Sequence, residues 1–292
     1  MSHADARTDT AAAPALPAAT VLGYPRIGPR RELKTALERY WSGASDLAEL
    51  EQAAAEVRTR TRTRLVELGL RRDDASVPSA FSFYDPVLDV VTLLGAVPSR
   101  FADLPAADGS VGLAESFVLA RGDEARGPLE MTKWFDTNYH YLVPELGPRT
   151  PIALVGDRPV RELLEARADG VQARPVLVGP VTFLLLAKAE DGAPDGFHPL
   201  DRLEDVLDAY AALLPRLAEA GAGWVQLDEP GLVVDGAVPA EDVLAATRRA
   251  YERLTAVTDR PALLVTTPYG DPGAALPVLL GTGVEGIGLD LV

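Results

Sequence analysis

The chain has no cysteine among its 292 residues. Disulfides, thiolate nucleophiles and any zinc site built on sulfur are excluded with it. Histidine is nearly as scarce: His3, His140 and His198 are all there are, so a metal site here would need carboxylates. Lysine is rare too. Lys34, Lys133 and Lys188 stand against 25 arginines in a basic total of 28. Such a bias reads as drift toward arginine codons, and a lysine kept against it is a candidate for work a planar guanidinium cannot do; chance retention is the competing explanation. Aromatic residues make up only 6%. No apolar run approaches the roughly 20 residues a membrane helix needs, so no membrane partner is expected. The formal charge of −15 also argues against a nucleic-acid surface, because phosphate binding needs clustered cations.

Residues 1–18 are rich in Ala and Pro with scattered charge. They lack the basic start and apolar core of a secretory signal, so a disordered tail and a cytoplasmic protein are expected. Residues 19–292 read as one domain. Leu33, Ala36, Leu37, Tyr40 and Trp41 fall on one helical face, and Leu47, Leu50, Ala54 and Val57 open a longer, charged helix that ends near Gly69. Further helices are predicted over Leu203–Ala220 and Ala240–Leu254. Short apolar runs at Pro175–Val178, Trp224–Leu227, Ala262–Val265 and Ile287–Leu291 alternate with the helical patterns. Thr20–Leu22, Val77–Phe83 and Tyr139–Val143 are weaker strand candidates.

Strand then helix with short loops means parallel strands and crossover helices. A (βα)8 TIM-type barrel is the best account, with a doubly wound open sheet as runner-up; no Gly-rich dinucleotide fingerprint favours the latter. The chain stops inside its seventh apolar run, at Leu291-Val292. The barrel is therefore expected to be truncated, with at least one more strand–helix unit in a parent protein.

In a barrel the functional groups follow the C-terminal ends of the strands. Those positions hold Tyr24–Gly28, Tyr84-Asp85, Gly179–Thr182, Asp228-Glu229-Pro230, Thr266–Gly270 and Asp290. Turn and cap chemistry accounts for any one of them equally well. The densest cationic segment is Arg26, Arg30, Arg31 and Lys34, at the opening of the first helix, with Glu32 beside it. Free helix-start amides among these cations suit a carboxylate or phosphate; a solvated helix face is the alternative. Met131–Tyr141 concentrates aromatics and one rare lysine, a mix that suits a flat anionic ligand or, more plainly, a packed aromatic segment. Asp228-Glu229 invites an acid/base reading, but neighbours in a strand point to opposite faces.

Taken together these motifs resemble a known family. Leu22-Gly23-Tyr24-Pro25-Arg26-Ile27-Gly28, running through Arg31-Glu32-Leu33-Lys34 to Tyr40-Trp41, is similar to the opening of cobalamin-independent methionine synthases. Met131–Glu145, Pro175–Phe183 and Trp224–Pro230 follow in the family's order. The resemblance implies two face-to-face (βα)8 barrels and methyl transfer from 5-methyltetrahydropteroyltriglutamate to homocysteine. It implies no cobalamin, and a zinc ion held in the C-terminal barrel, where a metal-bound thiol is kept as thiolate. This chain matches the N-terminal barrel only. The zinc-bearing catalytic barrel is absent, so the chain alone is expected to be inactive and to bind no cofactor.

By the same resemblance Arg31, Glu32, Leu33, Lys34 and Lys133 bind the folate triglutamate, a string of carboxylates seeking cations. The remaining partner is the catalytic barrel, which this chain would brace. Asp228-Glu229-Pro230 echoes a substrate-contacting motif of the second barrel, but here it belongs to the first copy. A stand-alone folate-binding module or degenerate paralogue is the alternative, and a barrel hydrolase using Asp228 or Glu229 ranks last.

Overall fold

The computed structural model describes residues 14–291. In chain order the elements are α1 (Glu32–Trp41), α2 (Leu47–Glu67), β1 (Pro78–Ser79), α3 (Pro86–Leu94), α4 (Leu113–Arg121), β2 (Met131–Lys133), β3 (His140–Leu142), β4 (Glu145–Leu146) and α5 (Arg158–Ala168). They continue with β5 (Arg174–Val178), α6 (Pro180–Leu185), β6 (Lys188–Ala189), α7 (Leu203–Glu219), β7 (Trp224–Asp228), α8 (Ala240–Thr255), β8 (Ala262–Thr267), α9 (Ala275–Leu280) and β9 (Gly286–Leu289). Helix starts follow local chemistry. Asp46 caps α2 by accepting from the Glu49 amide at 2.9 Å. Asp85 accepts from the Val87 and Leu88 amides, with Pro86 in the first helical position, where a missing N–H is harmless.

Five strands form one sheet in the order β1-β5-β7-β8-β9, every neighbouring pair parallel. This is the α/β architecture expected from alternating strand and helix patterns. Among the described residues the sheet stays open, with β1 and β9 as its edges, so barrel closure is not seen.

Two expected strands lie elsewhere. Tyr139–Val143 contributes β3, which pairs antiparallel with β2 in a separate hairpin, Met131 opposite Leu142 and Lys133 opposite His140. Only six residues join the two strands, too short a span for a parallel crossover. Thr20–Leu22 forms no strand and is held by side chains instead. Thr20 Oγ1 donates to the Ser76 carbonyl at 2.6 Å, Arg174 Nη2 to the Val21 carbonyl at 3.0 Å and Gln226 Nε2 to the Leu22 carbonyl at 3.0 Å.

The expected tail falls mostly on residues 1–13, which lie outside the described residues. Pro14 lies within them, and its carbonyl accepts from the Trp224 indole at 3.1 Å. Val292 is also outside.

Alternation sorts the sheet into two faces. Val225, Leu227, Leu263 and Val265 pack with Leu213, Leu214, Leu217, Tyr251 and Leu254 of α7 and α8 in the main core. The opposite face carries Arg174, Gln226, Asp228 and Thr266, with Gln226 registered against Val176 and Leu264, and Asp228 against Val178 and Thr266. A smaller apolar cluster of Leu33, Leu37, Leu50, Ala54, Phe83 and Phe117 holds α1 and α2 to the rest.

Candidate functional site

The polar face of the sheet opens at the strands' C-terminal ends into a cleft of about 430 Å³. Tyr24, Pro25 and Arg26 line it, together with Ser79 at the end of β1 and Ala80–Ser82 after it, Val178 at the end of β5, Asp228 at the end of β7, and Pro268 and Tyr269 after β8. Trp134 and Tyr139 reach in from the hairpin, and Asp89, Arg158 and Glu162 close the side near α3 and α5. This is where parallel α/β folds place ligands, because loops from several strands converge there.

Charge within the cleft is unevenly matched. Arg158 donates to Asp89 at 2.6 Å, to Glu162 at 2.8 Å and to the Phe81 carbonyl at 2.5 Å. Burial opposes its charge, but Asp89 and Glu162 outweigh that and hold its pKa above the ordinary value. Arg26 is different. Its Nη1 donates only to the carbonyls of Ser82 (3.2 Å) and Phe83 (2.9 Å), and no carboxylate pairs with it among the described residues. Burial draws its pKa down.

The two adjacent carboxylates of the β7 end part company, as strand geometry requires. Asp228 faces the cleft, and its Oδ1 accepts from Gln226 Nε2 at 2.6 Å and Thr266 Oγ1 at 2.5 Å. Burial raises its pKa. Glu229 points into the helix layer, fully buried. It accepts from the Val181 and Thr182 amides at 3.2 and 2.6 Å and from the Tyr251 hydroxyl at 2.7 Å. The α6 start, one of the strand-end positions noted in the sequence, is therefore filled by the protein's own carboxylate, and a Cβ on Gly179 would collide with it. An acid/base pair of Asp228 and Glu229 does not exist.

At the cleft mouth, Trp134 Nε1 donates to the Tyr269 hydroxyl at 3.0 Å, and the Phe135 and Tyr269 rings stack at 5.6 Å. Both stacked residues sit at positive φ, 48° and 81°, an unfavourable backbone region for bulky side chains that surrounding contacts must hold. The sequence shows the aromatics of the Met131–Tyr141 stretch but not their partner Tyr269.

Of the cationic residues singled out by sequence, Arg26 lines this cleft, whereas Arg30, Arg31, Lys34 and Lys133 lie outside it. Gly28, at φ 84°, turns the chain into α1, and Arg31 follows in left-handed backbone at φ 63°. Arg31 is exposed and pairs with no carboxylate among the described residues. Glu32 accepts from the Arg30 amide at 2.9 Å and pairs with Arg60 at 3.2 Å. Its pKa is lowered by its own backbone amide and these cations. Leu33 is fully buried between α1 and α2, so its side chain anchors the turn. Lys34 is exposed and pairs loosely with Glu38 at 3.4 Å. Arg30 and Glu32 border a second, shallow hollow of about 400 Å³ between α1 and α2. Lys133 lies exposed on β2, next to Trp134 and without an ion-pair partner among the described residues. The third lysine, Lys188, is committed to Glu130 at 2.8 Å and Glu145 at 3.6 Å.

No three His, Asp or Glu side chains are grouped to hold a metal ion among the described residues. With no cysteine in the chain either, the residues present do not fit a zinc site. No helix among the described residues is long and apolar enough to cross a membrane.

Fold and cleft thus define an α/β protein built on a parallel sheet, with a ligand-sized opening at the strand ends. The family described as "Cobalamin-independent synthase, N-terminal domain" matches residues 18–292, and the chain belongs to it. Three relatives, each called 5-methyltetrahydropteroyltriglutamate–homocysteine methyltransferase, show how close the match is. Those of Mycobacterium tuberculosis (strain H37Rv), Rhodococcus jostii and Streptomyces coelicolor are 51%, 52% and 52% identical over 94%, 94% and 93% of this chain. The chain spans only 34% of the length of each. A solved structure from Listeria monocytogenes, described as a putative vitamin-B12 independent methionine synthase, superposes with a TM-score of 0.58. It covers 92% of this chain and 72% of its own at 15% identity, which speaks for the fold alone.

Proposed function

We propose that this chain is the folate-binding part of a methyltransferase that moves a methyl group from 5-methyltetrahydropteroyltri-L-glutamate to L-homocysteine, giving L-methionine. Its part, as a domain of (βα)8 barrel type, is to hold the glutamate tail and to brace a zinc-bearing catalytic barrel. The observation that carries the reading is the state of the cations in a protein of net charge −15. Among the described residues Arg31 and Lys133 are exposed and have no carboxylate partner, and Lys34 has only a loose one. Glu32 and Leu33 hold the turn that presents Arg31 and Lys34, while Lys133 supplies a separate cation from the hairpin. A polyglutamate tail offers carboxylates to such points, each contact contributing about 1 kcal/mol and weakening with salt.

Calorimetric titration with triglutamyl and monoglutamyl 5-methyltetrahydrofolate at low and moderate salt tests this. The triglutamate is expected to bind roughly tenfold or more tightly, with the advantage shrinking as salt rises and falling in Lys34→Ala and Lys133→Ala. Equal affinity for both forms in a folded chain would remove the tail-binding role. Elemental analysis provides a separate check: the purified chain is expected to hold no zinc, and one zinc per chain would overturn the division of labour.

A further inference from the structure

The cleft on the sheet is not used by the tail-binding reading, yet it has the marks of a site. Its volume of about 430 Å³ lies in the range of small-molecule pockets. Four exposed large apolar residues, Leu22, Tyr24, Tyr139 and Tyr269, all border it. Tyr139 and Tyr269 leave 59% and 45% of their surface open. Aromatic surface gathered around one opening marks a binding place rather than scattered exposure.

The cleft also holds a cation, Arg26, that makes no ion pair among the described residues. Arg158 takes Asp89 and Glu162 as its ion-pair partners; Asp89 and Asp85 favour the Arg26 charge from a distance, but neither bonds it and burial still prevails. Asp228 is engaged by Gln226 and Thr266, and burial favours its neutral form. Arg26 Nη1 is spent on the Ser82 and Phe83 carbonyls, which fix the guanidinium plane. Nε and Nη2 donate to nothing among the described residues. A partly buried guanidinium has lost much of its water and recovers that loss only from an acceptor, best a charged one.

We propose that this cleft binds a small amphipathic monoanion, an aromatic or apolar body carrying one carboxylate. The carboxylate accepts from Arg26 Nε and Nη2, and the body lies against Tyr139, Trp134 and Tyr269. The rim favours a flat ring, because Tyr269 is already held for stacking by Phe135 and by the Trp134 indole. The site is separate from Arg31, Lys34 and Lys133, none of which lines the cleft.

The test uses the whole chain and two probes of one shape, 3-phenylpropionate and its amide, followed by saturation-transfer NMR and calorimetry. The acid is expected to bind saturably and about tenfold more tightly than the amide, since a charge-assisted bond replaces a neutral one. Arg26→Met removes that difference, and Tyr269→Ala weakens acid and amide alike while keeping their ratio. Lys34→Ala and Lys133→Ala leave both affinities unchanged, so failure here and failure of the tail-binding reading are separable. No binding of the acid, or equal binding of acid and amide, overturns the proposal. If Arg26→Met does not fold, the wild-type ratio and the Tyr269→Ala result decide.

Discussion

Arg174→Met is expected to destabilise the chain by about 3–5 kcal/mol, lowering the apparent unfolding temperature by roughly 5–10 °C. Arg174 is fully buried on the polar face of the sheet. Its Nε and Nη2 donate to Gln226 Oε1 at 3.1 and 2.8 Å, and Nη1 donates to Thr20 Oγ1 at 3.0 Å and to the Ala75 carbonyl. With its bond to Val21 it is the centre of a net tying Thr20–Leu22 to β5 and β7 without a ladder. Burial draws its own pKa down to about 10, with Asp228 opposing that fall. Methionine fills similar space but leaves Gln226 Oε1 and the Ala75 carbonyl without the donor, and buried unmatched acceptors are costly. Lysine keeps the charge but not the fork, so Arg174→Lys is expected to recover only part of the loss. Thermal denaturation and thermolysin cleavage near Val21–Leu22 report the outcome. An unchanged melting temperature with no new cleavage would show that the segment is held by something else.

The second large effect is a pH dependence centred on Asp85. Its Oδ1 accepts from the Val87 and Leu88 amides at 2.8 Å each, and its Oδ2 from the Leu142 amide at 3.1 Å, joining α3 to the hairpin. Burial pushes the carboxyl up to about 7, prevailing over these three donors, with Asp89 adding to the rise. The folded chain therefore holds the proton more tightly than the unfolded chain, where the value is near 3.8. Stability from this group is complete below about pH 4 and is lost as pH rises through about 7. A separation near three units corresponds to roughly 4 kcal/mol. Ion-paired carboxylates such as Glu165 and Asp169, whose pKa values are lowered, act in the opposite sense, so the comparison with Asp85→Asn isolates the effect. Urea unfolding from pH 4 to 8.5 is expected to show the asparagine chain less stable at the acid end and converging on the parent as pH rises. Parallel profiles would remove Asp85 as the source.

Much of this was legible in the sequence. The spacing of Leu33, Leu37, Tyr40 and Trp41 marked α1, and the runs at 175–178, 224–227 and 262–265 marked the central strands, because each pattern reports which side of its own element is apolar. The contrast between Asp228 and Glu229 also followed from alternation alone. What lay beyond reach was every feature made by residues distant in the chain. Arg174 is one arginine among 25, and nothing local tells that it, rather than a surface neighbour, would be buried beside Gln226. Tyr139–Val143 has strand-forming residues, but partner choice depended on the short connection to Met131–Lys133. Thr20–Leu22 looked like a strand because its residues are apolar, and tertiary side-chain bonds took the place of pairing.

The sequence by itself determined the element types, the parallel α/β class, the family and the cationic residues at the first helix and the hairpin, since these depend on residue order and local periodicity. Only the tertiary structure decided that, among the described residues, Arg158 is ion-paired in the cleft while Arg26 is not, and that Glu229 fills a helix start instead of facing a ligand. Pairing and burial of charge are set by which distant groups folding brings within a few ångströms, and no local pattern encodes that distance.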